Sequence, residues 1–380
     1  GAGVVVSQYI GADKKDKIKI SVHTSICISI ILGLILSLLG IFASPSLLIM
    51  MKTPKVVLKS SILYLQIYCG GLIFNVIYNM ATGILNAAGN SKKPLVYLAI
   101  ASFTNIILDL LFIKIFKLGV MGAAIATDIS QAISCILAIG YLLKVKSDYK
   151  LYIKDLKINK ETAVKIIKIG LPTAIQNMVI SFSNVLVQSS VNAYGATAMA
   201  GYAAYLKIDG FNILPVLSIS MAVTTFTGQN VGANRLDRVK KGMYSSLIMV
   251  LVYTVFIGAV LLIFSHQVLG LFTHSAQVIM YGQLAMKYFC PYYFLLGILN
   301  VLAGTVRGAG KGIPPMIILL FSMCIFRILW IKIALPFYSS IDGVFILYPI
   351  SWLVGAILMI LYTKFGKWLP HKQMEKKENS

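Results

Sequence analysis

The sequence predicts an all-α polytopic membrane protein of two pseudo-symmetric six-helix lobes, the first truncated, with about 10–11 transmembrane helices present. Three observations carry this expectation. The 380 residues are 58% hydrophobic and only 12% charged, with a mean hydropathy of +0.85. Apolar runs long enough to cross a bilayer recur along the chain. The basic residues alternate in density from one inter-run segment to the next. Soluble domains carry about a quarter of their residues as charges, and disordered chains are poor in apolar residues. Both classes are excluded.

Taken in order, residues 1–10 read as the end of a span, and further spans follow at 20–43, 60–86, 94–117, 119–143, 165–194, 199–229, 241–265, 277–306, 313–337 and 341–364. Glycines and prolines punctuate them, as bilayer helices tolerate. The net charge of +22, from 34 Lys and Arg against 12 Asp and Glu, invites a nucleic-acid reading. Its distribution refuses one. Alternate segments hold Lys14, Lys15, Lys17 and Lys19, then Lys92 and Lys93, the lysines from Lys144 to Lys168, Arg235, Arg238, Lys240 and Lys241, Arg307 and Lys311, and finally Lys364, Lys367, Lys372, Lys376 and Lys377. The opposite side receives only Lys52, Lys55, Lys59, Lys114 and Lys117. By the positive-inside rule the rich side and the C-terminus are cytoplasmic, in a cell (inner or plasma) membrane. The expected partners are membrane lipid and small molecules, not nucleic acid.

The chain repeats itself at a shift of 221 residues: Gln8-Tyr9-Ile10-Gly11-Ala12 becomes Gln229-Asn230-Val231-Gly232-Ala233. Asn79, Gly83, Ala88, Gly89 and Pro94 fall on Asn300, Gly304, Ala309, Gly310 and Pro315. The resulting organisation is an N-terminal lobe at 1–143, a basic cytoplasmic linker at 144–160, a C-terminal lobe at 161–364 and a cytoplasmic tail at 365–380. The second half begins near Glu161, so the first half is expected to lack about 61 residues, a first helix and most of a second; the initial Gly1 also reads as that of a fragment. Six spans per half give a parallel repeat, and duplicated halves that rock about a central site are a transporter signature.

Carboxylates well inside spans are costly and normally face a polar interior. Here they are Asp109, Asp128 and Asp209. Asn105 and Asp109, four apart, share a helix face; Thr127 lies on the next span and Asn79 on the preceding one. Together they supply oxygens for Na⁺, or a pocket that lets Asp109 take up and release H⁺. A structural polar network between helices is the plainer alternative. Asp128, beside Thr127, is expected to point elsewhere, toward a lysine near a span end. Asp209 lies in Lys207-Ile208-Asp209, an ionisable pair inside a span. Gln176, Asn177, Asn184, Gln188 and Asn192 stud one span, four of them as a stripe. These amides and Asp209 suit a substrate cavity, or an interhelical hydrogen-bond seam.

Other chemistry is not supported. Gly308-Ala309-Gly310-Lys311-Gly312 lacks the leading Gly and following Ser/Thr of a phosphate loop. The four His show no metal-ligand spacing, and the five Cys read as apolar packing residues. No enzyme and no cofactor are expected, only a coupling ion, H⁺ or Na⁺.

Several stretches resemble the multidrug and toxic compound extrusion (MATE) family: Gly170-Leu171-Pro172-Thr173-Ala174-Ile175-Gln176-Asn177, Thr227-Gly228-Gln229-Asn230-Val231-Gly232-Ala233 with its first-half copy at Ser7–Ala12, and Tyr293-Phe294-Leu295-Leu296-Gly297 before Gly304-Thr305-Val306-Arg307-Gly308. The resemblance implies twelve helices in two lobes that export organic, often cationic, compounds against inward H⁺ or Na⁺ by alternating access. It implies a first-lobe cation site with an Asn and an Asp four apart on the fifth helix and a Thr on the sixth, which Asn105, Asp109 and Thr127 match, with Asn79 on the fourth. The family's first-helix carboxylate would lie in the absent segment. Many relatives carry an acid on the tenth helix near where this chain has Asn300, a departure that argues against a second site there. The expected function is thus a monomeric, ion-coupled multidrug antiporter. A flippase for lipid-linked sugars and a non-transporting membrane receptor or scaffold are the alternatives.

Overall fold

The structure is a computed structural model, described for residues 1–369. His371, Lys372, Lys376 and Lys377, with most of the expected tail, lie outside the described residues. Helices succeed one another as α1 (Ala2–Gly11), α2 (Lys15–Met50), α3 (Lys55–Gly70), α4 (Leu72–Ala87), α5 (Lys92–Asp109), α6 (Gly119–Lys144), α7 (Lys160–Asn192), α8 (Ala196–Gly232), α9 (Leu236–Ile263), α10 (Ser265–Gly270), α11 (Ala276–Phe289), α12 (Tyr293–Gly308), α13 (Ile313–Leu320), α14 (Phe326–Leu329), α15 (Asp342–Phe345) and α16 (Leu347–Phe365). No strand occurs among the described residues. By length and composition, 9 helical segments among the described residues can cross a membrane, or 10 when the bent pair α3–α4 is one span. The chain is a multi-pass membrane protein.

The repeat is visible in the elements. Shifted by 221 residues, α4 falls on α12 residue for residue, α3 on α11, and α6 on the α15–α16 segment. The helix ends match as well. Asp13 and Asn234 both take positive φ, 51° and 55°, as do Gly89 and Gly310, at 78° and 87°. Asn, Asp and Gly are the residues that adopt the left-handed conformation most readily. In both copies that residue's N–H closes the helix: Asp13 on Ile10 O and Asn234 on Val231 O, each 3.1 Å.

Two compact units divide between Ile167 and Lys168. In the first, α2 packs on α3 and α4, and α6 on α3, α4 and α5. Small residues on one face of α2 permit the approach: Ser21, Ser25, Ser29, Gly33, Ser37 and Ser44 are all buried. Without water, close backbone packing and hydrogen bonds replace the hydrophobic drive between helices. The hydroxyls of Ser25, Ser29 and Ser44 back-bond to their own helix, Ser25 Oγ to Ser21 O at 2.6 Å. A Cβ at Gly33 would stand 2.9 Å from Ile73 Cα. The 60–86 span is not one helix. It bends by 40° between α3 and α4, at Gly70-Gly71, and Ser37 Oγ reaches that break from α2, accepting from Ile73 N at 3.2 Å.

The lysine-rich segment is held down rather than free. His23, 2% exposed, accepts Tyr152 N–H on Nε2 at 3.0 Å, which leaves Nδ1–H to donate to Lys19 O at 2.6 Å. Asn159 N–H donates to Thr24 Oγ1 at 3.1 Å, and Leu151 is buried. Lys19 Nζ meets Asp155 at 2.6 Å. That hydrogen bond, with the lysine's charge, holds the Asp155 carboxyl below the usual carboxylate range.

In the second unit α8 packs on α9, α11 and α12, and α12 also on α9 and α16. Its core gathers Phe289, Tyr293, Leu299, Phe345 and Met359.

Candidate functional site

In the first unit, the residues expected to hold a cation lie on three helices, and each is placed by simple rules. Asp109 is the last α-helical residue of α5, just before a π-turn at Leu110–Ile115. Such turns displace the ladder by one residue and recur at functional positions. Asn105 sits one turn earlier on the same face. Asp109 Oδ1 and Asn105 Nδ2 are both shielded from solvent and have no hydrogen-bond partner. Buried polar atoms without partners are rare and call for an occupant or a function. Thr127 on α6, the helix packed on α5, spends its hydroxyl on Ala123 O at 3.0 Å. Asn79 on α4 is exposed, and its Nδ2 donates to Asn75 O and Oδ1, each at 2.8 Å. Among the described residues no hydrogen bond links the four. Among the described residues Asp128 pairs with no lysine. Its carboxyl packs against Gly71 at the α3–α4 break, where any Cβ would overlap it.

The second unit holds an open pocket of about 390 Å³ lined by Asn184, Val185, Gln188, Tyr202, Tyr205, Leu206, Asp209, Phe289, Tyr348 and Trp352. The polar stripe thus divides. Asn184, Gln188 and Asp209 come together here, whereas Gln176 and Asn177 do not line the pocket. Gln176 is buried with Oε1 unpartnered, and Asn177 is exposed. Gln188 Nε2 is tied to Asn192 Oδ1 at 2.9 Å. Lys207 is no partner to Asp209. Two residues apart on a helix point to opposite sides, and Lys207 Nζ lies 5.7 Å over the Phe272 ring instead.

Asp209 is held by phenols. Tyr293 Oη donates to Oδ1 at 2.8 Å and Tyr205 Oη at 3.1 Å, while the two tyrosine oxygens lie 2.8 Å apart. A second tyrosine pair, Tyr202 and Tyr348, has its oxygens 2.6 Å apart. Phe289 ties the aromatic wall together, 4.9 Å centroid to centroid from Tyr205 and 4.9 Å from Tyr348. Behind this wall Arg327 is 2% exposed. It donates to Asn184 Oδ1 at 3.0 Å and Ser351 Oγ at 3.1 Å, and lies 4.4 Å over the Tyr348 ring. The sequence reading gave these aromatics and Arg327 no role. Signals existed for two of them: Tyr205 precedes Asp209 by four residues, on the same helix face, and an arginine inside a span earns the same attention as a carboxylate.

An anionic group inside an aromatic pocket, with amides beside it, can hold an organic cation by charge and by cation–π contact. The unpartnered carboxyl of Asp109 can hold a proton or a small cation.

Residues 1–111 and 172–331 match the family model described as MatE. Among curated relatives, the "Probable multidrug resistance protein YoeA" of Bacillus subtilis is 29% identical over 382 residues, spanning 96% of this chain and 81% of the relative. The "Probable multidrug resistance protein NorM" of Thermotoga maritima is 26% identical over 376 residues, 97% of this chain and 80% of the relative. A solved structure described as the outward-facing conformation of a multidrug resistance MATE family transporter shares the fold, with a TM-score of 0.89 at 23% identity over 96% of this chain and 82% of that one. Helix order, internal repeat and these matches agree: the chain belongs to the MatE family, the multidrug and toxic compound extrusion proteins.

Proposed function

We propose that the protein is a secondary active antiporter of the cell (inner or plasma) membrane, C-terminus cytoplasmic, that exports organic, often cationic, drugs or metabolites in exchange for inward H⁺ or Na⁺. The observation that carries the coupling is the Asp109 carboxyl, inside a span, with Oδ1 out of solvent and free of any hydrogen bond. A carboxylate left without hydrogen-bond donors is stabilised by binding H⁺ or Na⁺. Asn105 lies one turn before Asp109 on α5, Thr127 on α6, the helix packed on α5, and Asn79 on α4. Cation binding at Asp109 favours one conformation and substrate the other, so the two ligands drive each other across the membrane.

The pocket around Asp209 is the substrate cavity. Its lining includes one carboxylate and no Lys or Arg, which suits a cation and not the pyrophosphate of a lipid-linked sugar. The protein works as a monomer within the lipid, without a cofactor.

Efflux of a fluorescent organic cation from sealed vesicles tests this reading. Asp209→Asn is expected to raise KM about tenfold, the loss of one favourable charge contact of about 1.4 kcal/mol, with a smaller change in kcat. An unchanged KM would remove Asp209 from the substrate site.

A further inference from the structure

Arg327 is the buried charge that the coupling and cation-binding roles leave unused. It lies inside a span, yet no carboxylate is within ion-pair distance of it among the described residues. A guanidinium so placed is costly, and an apolar residue of similar volume packs as well or better. Its contacts show what the charge does. Nη1 holds the carbonyl oxygen of Asn184 at 3.0 Å, Nε holds Ser351 Oγ at 3.1 Å, and the guanidinium lies 4.4 Å over Tyr348. Met323 Sδ takes Nη2 at 3.3 Å.

Asn184 and Tyr348 both line the pocket; Arg327 stands behind them. With its oxygen turned to Arg327 at 3.0 Å, the Asn184 side chain offers a ligand chiefly its N–H₂, and the adjoining positive charge strengthens that donor. Tyr348 is likewise held, by the cation over its ring and by the Tyr202 oxygen at 2.6 Å. Asp209 supplies the opposite character: its Oδ1 is occupied by two phenols, and it accepts but does not donate. The pocket therefore has an acceptor pole at Asp209 and a donor pole at Asn184, with Phe289, Tyr348 and Trp352 among the aromatic groups of the wall.

We propose that Arg327, acting through Asn184, makes this pocket selective for organic cations that also carry a hydrogen-bond acceptor, a carboxylate or carbonyl, apart from the positive centre. The inference rests on the reading of the pocket as the substrate cavity. Arg327 is a positioning residue: it orients Asn184 and does not touch the ligand.

Two dyes that differ only in this respect provide the test. Tetramethylrhodamine and tetramethylrosamine share a xanthylium cation, and only the former bears a carboxylate. Binding is measured by fluorescence polarisation on the protein in lipid nanodiscs. The wild type is expected to bind the carboxylate dye about tenfold more tightly, the size of one charge-assisted hydrogen bond. Asn184→Asp keeps an oxygen for Arg327, so the buried charge stays partnered, but replaces the N–H₂ by an acceptor. That variant is expected to bring the ratio to about one or below, and Arg327→Lys, which loses the planar fork, to lower it in the same direction. Asp209→Asn is expected to weaken both dyes alike. If Asp209→Asn weakens both dyes but wild type prefers neither, or Asn184→Asp keeps the preference, the selectivity inference is overturned and the cavity reading stands. If Asp209→Asn changes neither dye, or neither dye binds, the cavity reading falls and the inference with it.

Discussion

Vesicles carrying Asp109→Asn are expected to lose uphill efflux and its dependence on Na⁺ or pH, while downhill movement of the dye continues. Asn is nearly the shape of Asp, so packing of α5 on α6 persists. What goes is the charge that, under the proposed coupling, makes a cation favour one conformation. Coupling free energies of about 1–3 kcal/mol correspond to about 5–150-fold, and the expected fall in gradient-driven accumulation lies in that range. The neighbours rank below it. Asn105→Ala removes an amide whose Nδ2 is already unpartnered and is expected to weaken ion dependence in part. Thr127→Ala does less, because that hydroxyl also donates to Ala123 O at 3.0 Å. Dye accumulation across an ion gradient ranks the three. Full ion-dependent accumulation in Asp109→Asn would move the coupling site elsewhere.

Gly304→Val is expected to be among the most destabilising single changes in the second unit. A Cβ at Gly304 would stand 2.7 Å from the Ser220 carbonyl oxygen and 2.9 Å from Thr224 Oγ1. The α8–α12 seam is stitched at this point: Ser220 Oγ donates to Asn300 O at 2.8 Å and Thr224 Oγ1 to Gly304 O at 2.9 Å. Overfilling such a contact costs about 1–3 kcal/mol, and each interhelical hydrogen bond lost adds about 0.6. Gly83 is the same position in the first repeat, yet a Cβ there meets nothing within 4 Å. Gly83→Ala is therefore expected to be neutral, or stabilising by up to about 1 kcal/mol from helix propensity. Melting of the two variants in nanodiscs checks the opposite signs. Equal melting temperatures would show that the tight seam at Gly304 does not contribute to stability.

The helices and the repeat were legible because both follow from local composition. A bilayer demands apolar runs, and a duplication preserves spacing, so α4 and α12 have matching bounds. The α3–α4 break was not legible. Gly70-Gly71 lies inside an uninterrupted apolar run, and spans tolerate glycine without breaking; only packing against α2 and α6 decides it. The docking of 145–159 was hidden for a similar reason, since His23 and Thr24 act through backbone groups far along the chain. The candidate site residues were legible in proportion to the cost of placing them in a span. Asp109, Asp209, Asn184 and Gln188 stand out because polar groups in spans are expensive. The tyrosines that hold Asp209 carry no such mark, as Tyr293 reaches it from 84 positions away. Gln176 and Asn177 share the composition of these amides but do not line the pocket: Asn177 lies two helical turns, about 10 Å, along the helix from Asn184, a distance that composition does not reveal.

Ion-driven counterflow in sealed vesicles without nucleotide tests the proposed antiport most directly. An imposed Na⁺ or pH gradient is expected to drive a fluorescent organic cation against its own gradient, with a dye-dependent flux of the same ion in the opposite direction that Asp109→Asn abolishes. Dye movement indifferent to both gradients, or ion-driven accumulation that persists in Asp109→Asn, would contradict it.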